Sequence, residues 1–445
     1  MKKLFLLTIM ALTAVAMQAQ DAQSVVLLNY ETLKKKVAKS DADIQDAKKS
    51  IKANTWVKRG ELFQDVFLVG LDQAQEGMGI TTFTLFYKEP KSIETETKED
   101  GSKWETYIYP HMHYIFVNGV LQQWKRIDPI HPDPLSVAIE AYKKALELDT
   151  KGKIDSKVKE NLIELKAQLK RDGVNDYYFE DYNRALKAFE NVLDVNSIDL
   201  FAGELDTLMV QYSGIISREI AGKTNNMDLY RKAISYYTQL AEAGFGGPNT
   251  YLQMKMDYMN LGDTLKAMEV LKEAYEKYPD TVNVVANLAD TYIQMKDFDG
   301  GIAFMEKAIE ANPSIPEFYY WNGRLLINKE EVETMEKAIE SYKKAGELKP
   351  ELYYVWYDLG YIFYLQGADF YERGNQEEHE ATREKLLELG KEKYTAAIPN
   401  LEKAFKLNKD NRDIQFETLD LLQRIYYKEQ MMEDYERVKA LKNEI

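Results

Sequence analysis

Between residues 267 and 350 the chain repeats itself, and that repeat restricts its possible folds more than any other feature. A small residue is followed four positions later by a large apolar one, and three positions after that usually by another small one: Ala267/Leu271/Ala274, Gly301/Met305/Ala308 and Ala338/Tyr342/Ala345. Offsets of four and seven put each triplet on one helical face. Five residues after each triplet stands a proline, at Pro279, Pro313 and Pro350, which ends the helix. Six residues past each proline a bulky residue precedes a small one by four: Val285/Ala289, Tyr319/Gly323 and Trp356/Gly360. Ala267 and Gly301 are 34 residues apart, as are Pro279 and Pro313. The same triplet recurs at wider spacing as Ala138/Tyr142/Ala145, Ala185/Phe189/Val192, Ala233/Tyr237/Leu240 and Ala397/Leu401/Ala404.

Such a period belongs to a helical hairpin that cannot bury its apolar face alone and does so by stacking on its neighbours. Ala or Gly at a crossing lets two backbones approach while large residues fill the adjacent grooves. Val285, Leu288, Ala289 and Tyr292, and again Trp356, Leu359, Gly360 and Phe363, resemble the first-helix pattern of the tetratricopeptide repeat family. The resemblance is strongest from about Pro248 to Phe363. It implies an all-α solenoid of antiparallel helical hairpins that binds a protein or peptide and carries out no catalysis. The family's ligand-facing positions in the first helices fall on Asn283, Asn287 and Asp290, then Tyr320 and Arg324, then Tyr354, Tyr357, Tyr361 and Tyr364. Steps of three and four keep the last four on one face. Tyrosine joins a large apolar body to a hydroxyl and few rotors, which suits a reversible contact; packing against neighbouring helices is the competing reading.

Two stretches depart from the period. In the family pattern the positions held by Phe63 and Ala138 lie about nine residues apart, and here 75 residues separate them. Within that insertion Thr82 to Tyr87, Trp104 to Tyr109, His113 to Val117 and Val120 to Trp124 are rich in aromatic and β-branched residues and predict strands. Asn118-Gly119 predicts a tight hairpin turn, and the charged run from Ser92 to Lys103 a solvated loop. The expectation is a small antiparallel sheet set into a split N-terminal repeat. The second departure, between Phe363 and Ala397, predicts a lengthened, charged, solvent-facing hairpin, with a docking element as the alternative. Residues 411–445 predict a hairpin that covers the end of the stack.

The N-terminus has a cationic start at Lys2 and Lys3, an apolar run from Leu4 to Ala16 and small residues at Ala14, Ala16 and Ala19, the layout of a secretory signal peptide. The run is too short for a membrane span. The chain contains no cysteine, so lipid attachment at a cysteine, disulfides and thiolate metal sites are not expected. A periplasmic or secreted protein is the expectation. A formal net charge of −15 without a basic block argues against nucleic acid.

An enzyme would need a constellation of reactive groups. His111 and His113 are two apart, with His131 beyond them, a weak metal signal. No phosphate loop, zinc-protease helix or serine elbow occurs, and no catalytic residue, metal or cofactor is expected. The predicted organisation is a signal peptide over 1–19, N-terminal helices over 24–63, an inserted sheet over 64–133, divergent hairpins over 134–247, well-matched repeats over 248–365, an extended repeat over 366–407 and a capping hairpin over 408–445. The leading function is a protein-binding scaffold in the bacterial envelope, working through the groove or the inserted sheet. A glycan-binding protein, or an enzyme with its site around His111 and His113, are the alternatives.

Overall fold

The computed structural model describes residues 27–444 apart from 202, 204 and 330, so the predicted signal peptide lies outside the described residues. The chain divides into two units, Met1–Ile220 and Ala221–Ile445. The first holds helices α1 (Tyr30–Gln45), α2 (Ala53–Leu68) and α3 (Ile80–Phe86), strands β1 (Ser92–Thr97), β2 (Lys103–Ile108), β3 (Met112–Val117) and β4 (Val120–Arg126), then α4 (Pro134–Leu148), α5 (Asp155–Tyr178), α6 (Tyr182–Asn196) and most of α7 (Thr207–Thr224). The second runs through α8 (Met227–Glu242), α9 (Pro248–Asn260), α10 (Thr264–Lys277), α11 (Val282–Met295), α12 (Phe298–Ala311), α13 (Pro316–Ile327), α14 (Val332–Leu348), α15 (Tyr353–Gln376), α16 (Glu380–Leu407), α17 (Arg412–Lys428) and α18 (Met432–Lys442).

Local chemistry sets the helix ends. Asp133, Asp181, Asp263 and Asp297 cap α4, α6, α10 and α12 by accepting from the backbone N–H three residues on, which satisfies a donor the helix leaves orphaned. The bulky residue after each loop closes it from the other side. Trp56 Nε1 donates to the Ser50 carbonyl at 2.7 Å, the Tyr319 hydroxyl to Pro313 at 3.1 Å and Trp356 Nε1 to Pro350 at 2.9 Å.

Small residues then fix the crossings. A Cβ added to Gly323 would lie 2.6 Å from the Tyr342 ring, one at Gly360 2.7 Å from Leu401 Cγ, and one at Gly173 2.6 Å from the Phe189 ring. Gly60 faces the Tyr142 ring in the same way. That contact joins α2 to α4, the two halves of the split repeat, whose hairpin closes although the sheet lies between them in sequence. Each helix of the second unit packs chiefly on its sequence neighbours, as in a solenoid.

The insertion is an antiparallel meander in the order β1-β2-β3-β4. Asn118 and Gly119 both have positive φ, as a two-residue hairpin turn requires. Its inner face presents Tyr107, Met112, Tyr114, Phe116, Leu121 and Trp124 to one core. Two sequence expectations fail here. Thr82 to Tyr87 is no strand: Ile80–Phe86 is helical, with Phe83 buried between exposed Thr82 and Thr84 and its ring stacked on Tyr87, four residues on, at 4.4 Å. Burial at helical spacing against Tyr114 and Phe116 overrides the β-propensity of the segment. The run from Ser92 is not wholly a loop: Ser92–Thr97 forms the outer strand, paired from Ser92 opposite Ile108 to Thr97 opposite Lys103. All six of its residues are exposed, so the backbone ladder alone holds it, and no burial pattern announces it.

The extended repeat follows the predicted form. α15 and α16 make one long hairpin about the connection at Glu377–His379. Gly367 and Gly390 face each other inside it, each of their would-be Cβ atoms close to the other's carbonyl, at 3.1 and 3.2 Å.

Gly360→Leu or Ala308→Leu must displace a packed neighbour, because Gly360 already touches Leu401 and Ala308 is fully buried. Either change is expected to lower unfolding stability by about 1–3 kcal/mol, read from the urea midpoint; an unchanged midpoint would contradict the packing described.

Candidate functional site

Helix α15 carries a file of aromatic rings. Tyr357 and Tyr361 lie parallel with centroids 6.2 Å apart, Tyr361 and Tyr364 follow at 6.5 Å, and Tyr364 stacks on Tyr394 of α16 at 5.5 Å. Tyr371 continues it against Tyr394 at 5.2 Å. Steps of four, three and seven along α15 produce the alignment. Carboxylates of α17 and the turn after it anchor the hydroxyls: Tyr357 donates to Glu417 at 2.9 Å and Tyr371 to Glu429 at 2.5 Å. Burial first, then those carboxylates, holds both phenols above their usual range. Tyr361 is 39% exposed and Leu365 beside it 40%, so the file presents an apolar face with acidic margins.

Tyr320 and Arg324 lie elsewhere, in a polar cluster between α13, α14 and α15. Arg324 donates to the Tyr320 hydroxyl at 3.3 Å, Tyr320 meets the Tyr342 ring at 5.8 Å and Tyr354 edge-on at 4.6 Å. Asp358 is set among them, with its Oδ2 buried and unpartnered. Burial pushes the Asp358 carboxyl up to about 6, against the opposing pull of Arg324 and the two phenols. Tyr320, Arg324 and Tyr354 therefore serve the interior as much as the surface.

The candidates on α11 are of a third kind. Asn283 is exposed, the Asn287 amide donates back to the Asn283 carbonyl at 2.8 Å, and Asp290 accepts from Gln294 at 2.6 Å. The structure thus joins Tyr357, Tyr361 and Tyr364 in one surface, places Tyr320, Arg324 and Tyr354 around Asp358, and keeps the α11 polar residues in bonds within their own helix. Sequence reasoning missed Tyr371, Tyr394, Glu417 and Glu429. Tyr371 stands seven residues after Tyr364, a signal that was present.

Among the described residues no group of three or more His, Asp or Glu side chains is arranged to hold a metal ion. His111 stacks on Tyr30 at 3.7 Å, and His131 accepts the Asp133 N–H and meets Phe63 edge-on. Among the described residues no helix is long and apolar enough to cross a membrane.

Residues 258–324 match the tetratricopeptide repeat family, and over that stretch the chain consists of these repeats. No curated protein matches the chain. Among solved structures, the C-terminal part of a tetratricopeptide-repeat protein from Cytophaga hutchinsonii is 17% identical, covers 60% of this chain and 92% of its own, and has a TM-score of 0.39. A repeat protein from Bacteroides fragilis NCTC 9343 is 17% identical over 62% of this chain and 98% of its own, with a TM-score of 0.30. MamA from Desulfovibrio magneticus RS-1, from residue 41 onward, is 20% identical over 42% and 95%, with a TM-score of 0.28.

Asp358 yields a pH dependence. Between about pH 4 and 6 the folded chain keeps a proton there that the unfolded chain has released. The stability it contributes is complete below about pH 4 and lost as pH rises through about 6, by about 3 kcal/mol at most. Asp358→Asn is expected to flatten that part of the stability curve in urea titrations at pH 4.5 and 7; an identical slope in variant and parent would refute it.

Proposed function

We propose that this chain is an exported bacterial scaffold that holds a peptide or protein partner on the tyrosine file of α15. Tetratricopeptide repeats generally serve as non-catalytic interaction scaffolds, and residues 258–324 are of that kind. The observation that carries the reading is the parallel stacking of Tyr357, Tyr361 and Tyr364, with Tyr361 and Leu365 left open. Rings already held in place lose little freedom when a partner arrives. Glu417 and Glu429 border the file, and the net charge is −15, so a partner segment with apolar and basic residues fits best. Export is proposed from the cationic, apolar and small-residue sequence of residues 1–19.

Crosslinking in cells from a photoreactive residue at Tyr361 is the test. Tyr361 is exposed, so its replacement leaves the fold intact. The expected result is a discrete protein adduct that a Tyr364→Ala change in the same chain reduces by about tenfold, as loss of a central aromatic contact does. Adducts equal to those from an exposed control position such as Glu340 would reject the site. Fractionation of the producing cells tests the other half: retention of full-length protein in the cytoplasm would reject export.

A further inference from the structure

We infer that the seam between the inserted sheet and helix α2 is a binding site for a small aromatic or apolar amine. A cavity of about 240 Å³ opens there. A dry cavity of about 150 Å³ suffices for benzene, so this one admits a ring with a short arm. It lies wholly within the first unit, whereas the tyrosine file belongs to the second.

Its lining is largely apolar and aromatic, with Val66, Val69, Met112 and Ile130 beside Tyr30, Tyr87, Tyr109 and Tyr114. The polar groups select the charge. Asp72 accepts the Leu28 N–H at 2.8 Å and reaches the cavity from the end of α2, while Asp128 stands at the rim, bonded by the Tyr30 hydroxyl at 3.1 Å and 3.3 Å from His111 Nδ1. The lining's one guanidinium, Arg126, is already committed: NH1 binds Asp172 at 2.6 Å, NH2 donates to the Phe67 carbonyl at 3.3 Å, and the group lies over the Phe67 ring at 4.2 Å, leaving only Nε without a partner. His131 spends Nδ1 on the Asp133 N–H. Two carboxylates and four tyrosines thus line the space, while the Arg126 guanidinium is paired with Asp172, which Arg184 also approaches at 3.9 Å. Ring faces and carboxylates both attract an ammonium, and more strongly where water is displaced.

The hydroxyl bonds keep this arrangement in place before any ligand arrives. Tyr109 donates to the Lys88 carbonyl at 2.6 Å, Tyr114 to the Gly70 carbonyl, and the Tyr87 oxygen accepts the Gln73 N–H at 3.2 Å. The connection after α2, through Gly70 and Gln73, and Lys88 after α3 thus hold the three hydroxyls in place.

The test uses the full chain and three probes of one shape and different charge: phenethylamine, phenylacetate and 2-phenylethanol, titrated by calorimetry and by ligand-observed NMR. Phenethylamine is expected to bind about tenfold or more tighter than phenylacetate, with the alcohol between them. Asp72→Asn and, separately, Tyr109→Leu should each weaken the amine by about tenfold while leaving the melting temperature within a few degrees. Glu340→Ala, an exposed position in the other unit, should leave amine binding unchanged. Tighter binding of phenylacetate would mean that Arg126 Nε reads the ligand and would overturn the assignment, as would amine binding that both variants leave unaltered, or no binding of any probe. Should Asp72→Asn fail to fold, Tyr109→Leu alone decides.

Discussion

Everything in this chain depends on how near two helix backbones can come, and glycine and alanine decide it. In each well-formed hairpin the small residue of one helix meets a large side chain of its partner: Gly60 the ring of Tyr142, Gly173 that of Phe189, Gly323 that of Tyr342, Gly360 the branched end of Leu401. The large group occupies the place a Cβ would take, so neither helix can slide or turn without opening a void or a clash. A locked crossing also decides which face stays outward. On α15, Gly360 and Gly367 turn to α16, and the adjacent face, stepping through Tyr357, Tyr361 and Tyr364, is left to meet α17 and the solvent. The tyrosine file is thus a consequence of the packing rule, written into the same helix.

That rule explains what could be read in advance. The triplets and their prolines are local, and their spacing reported the hairpins from Pro248 onward, while the long hairpin of α15 and α16 and the pairing of α2 with α4 were read by setting that spacing against the family pattern it resembles. The tyrosine file was half legible, since Tyr357, Tyr361 and Tyr364 share a helix while Tyr394 reaches them only after the hairpin folds back. The Asp358 cluster was not legible at all: Arg324, Tyr342 and Asp358 come from three helices, and only burial turns a surface-type residue into an interior one with a raised carboxyl. The inserted sheet failed at both its early elements for one reason. Strand propensity measures fit to a half-buried pleated surface, whereas Phe83 is buried on one side of a short helix and Ser92–Thr97 is buried on neither.

The insertion shows how tolerant the hairpin is. Gly60 and Tyr142 make their contact although 81 residues lie between them, because the entropy of closing a longer connection grows only slowly with its length. The inserted segment also lowers its own cost by forming a core around Phe83, Tyr114 and Trp124.

Independent cores have a further effect. A core built on the sheet and a core built on the helices each satisfy their own packing, and neither is shaped by the other. Where they abut, Asp72 and Asp128 stand beside Tyr87 and Tyr114 of the sheet core and beside Val66 of α2. A uniform solenoid has no such boundary, since each repeat is the complement of the next. The split repeat therefore does more than accommodate extra chain: it creates a concave, chemically mixed lining that the repeats by themselves have no means to form, on a part of the molecule separate from the tyrosine file.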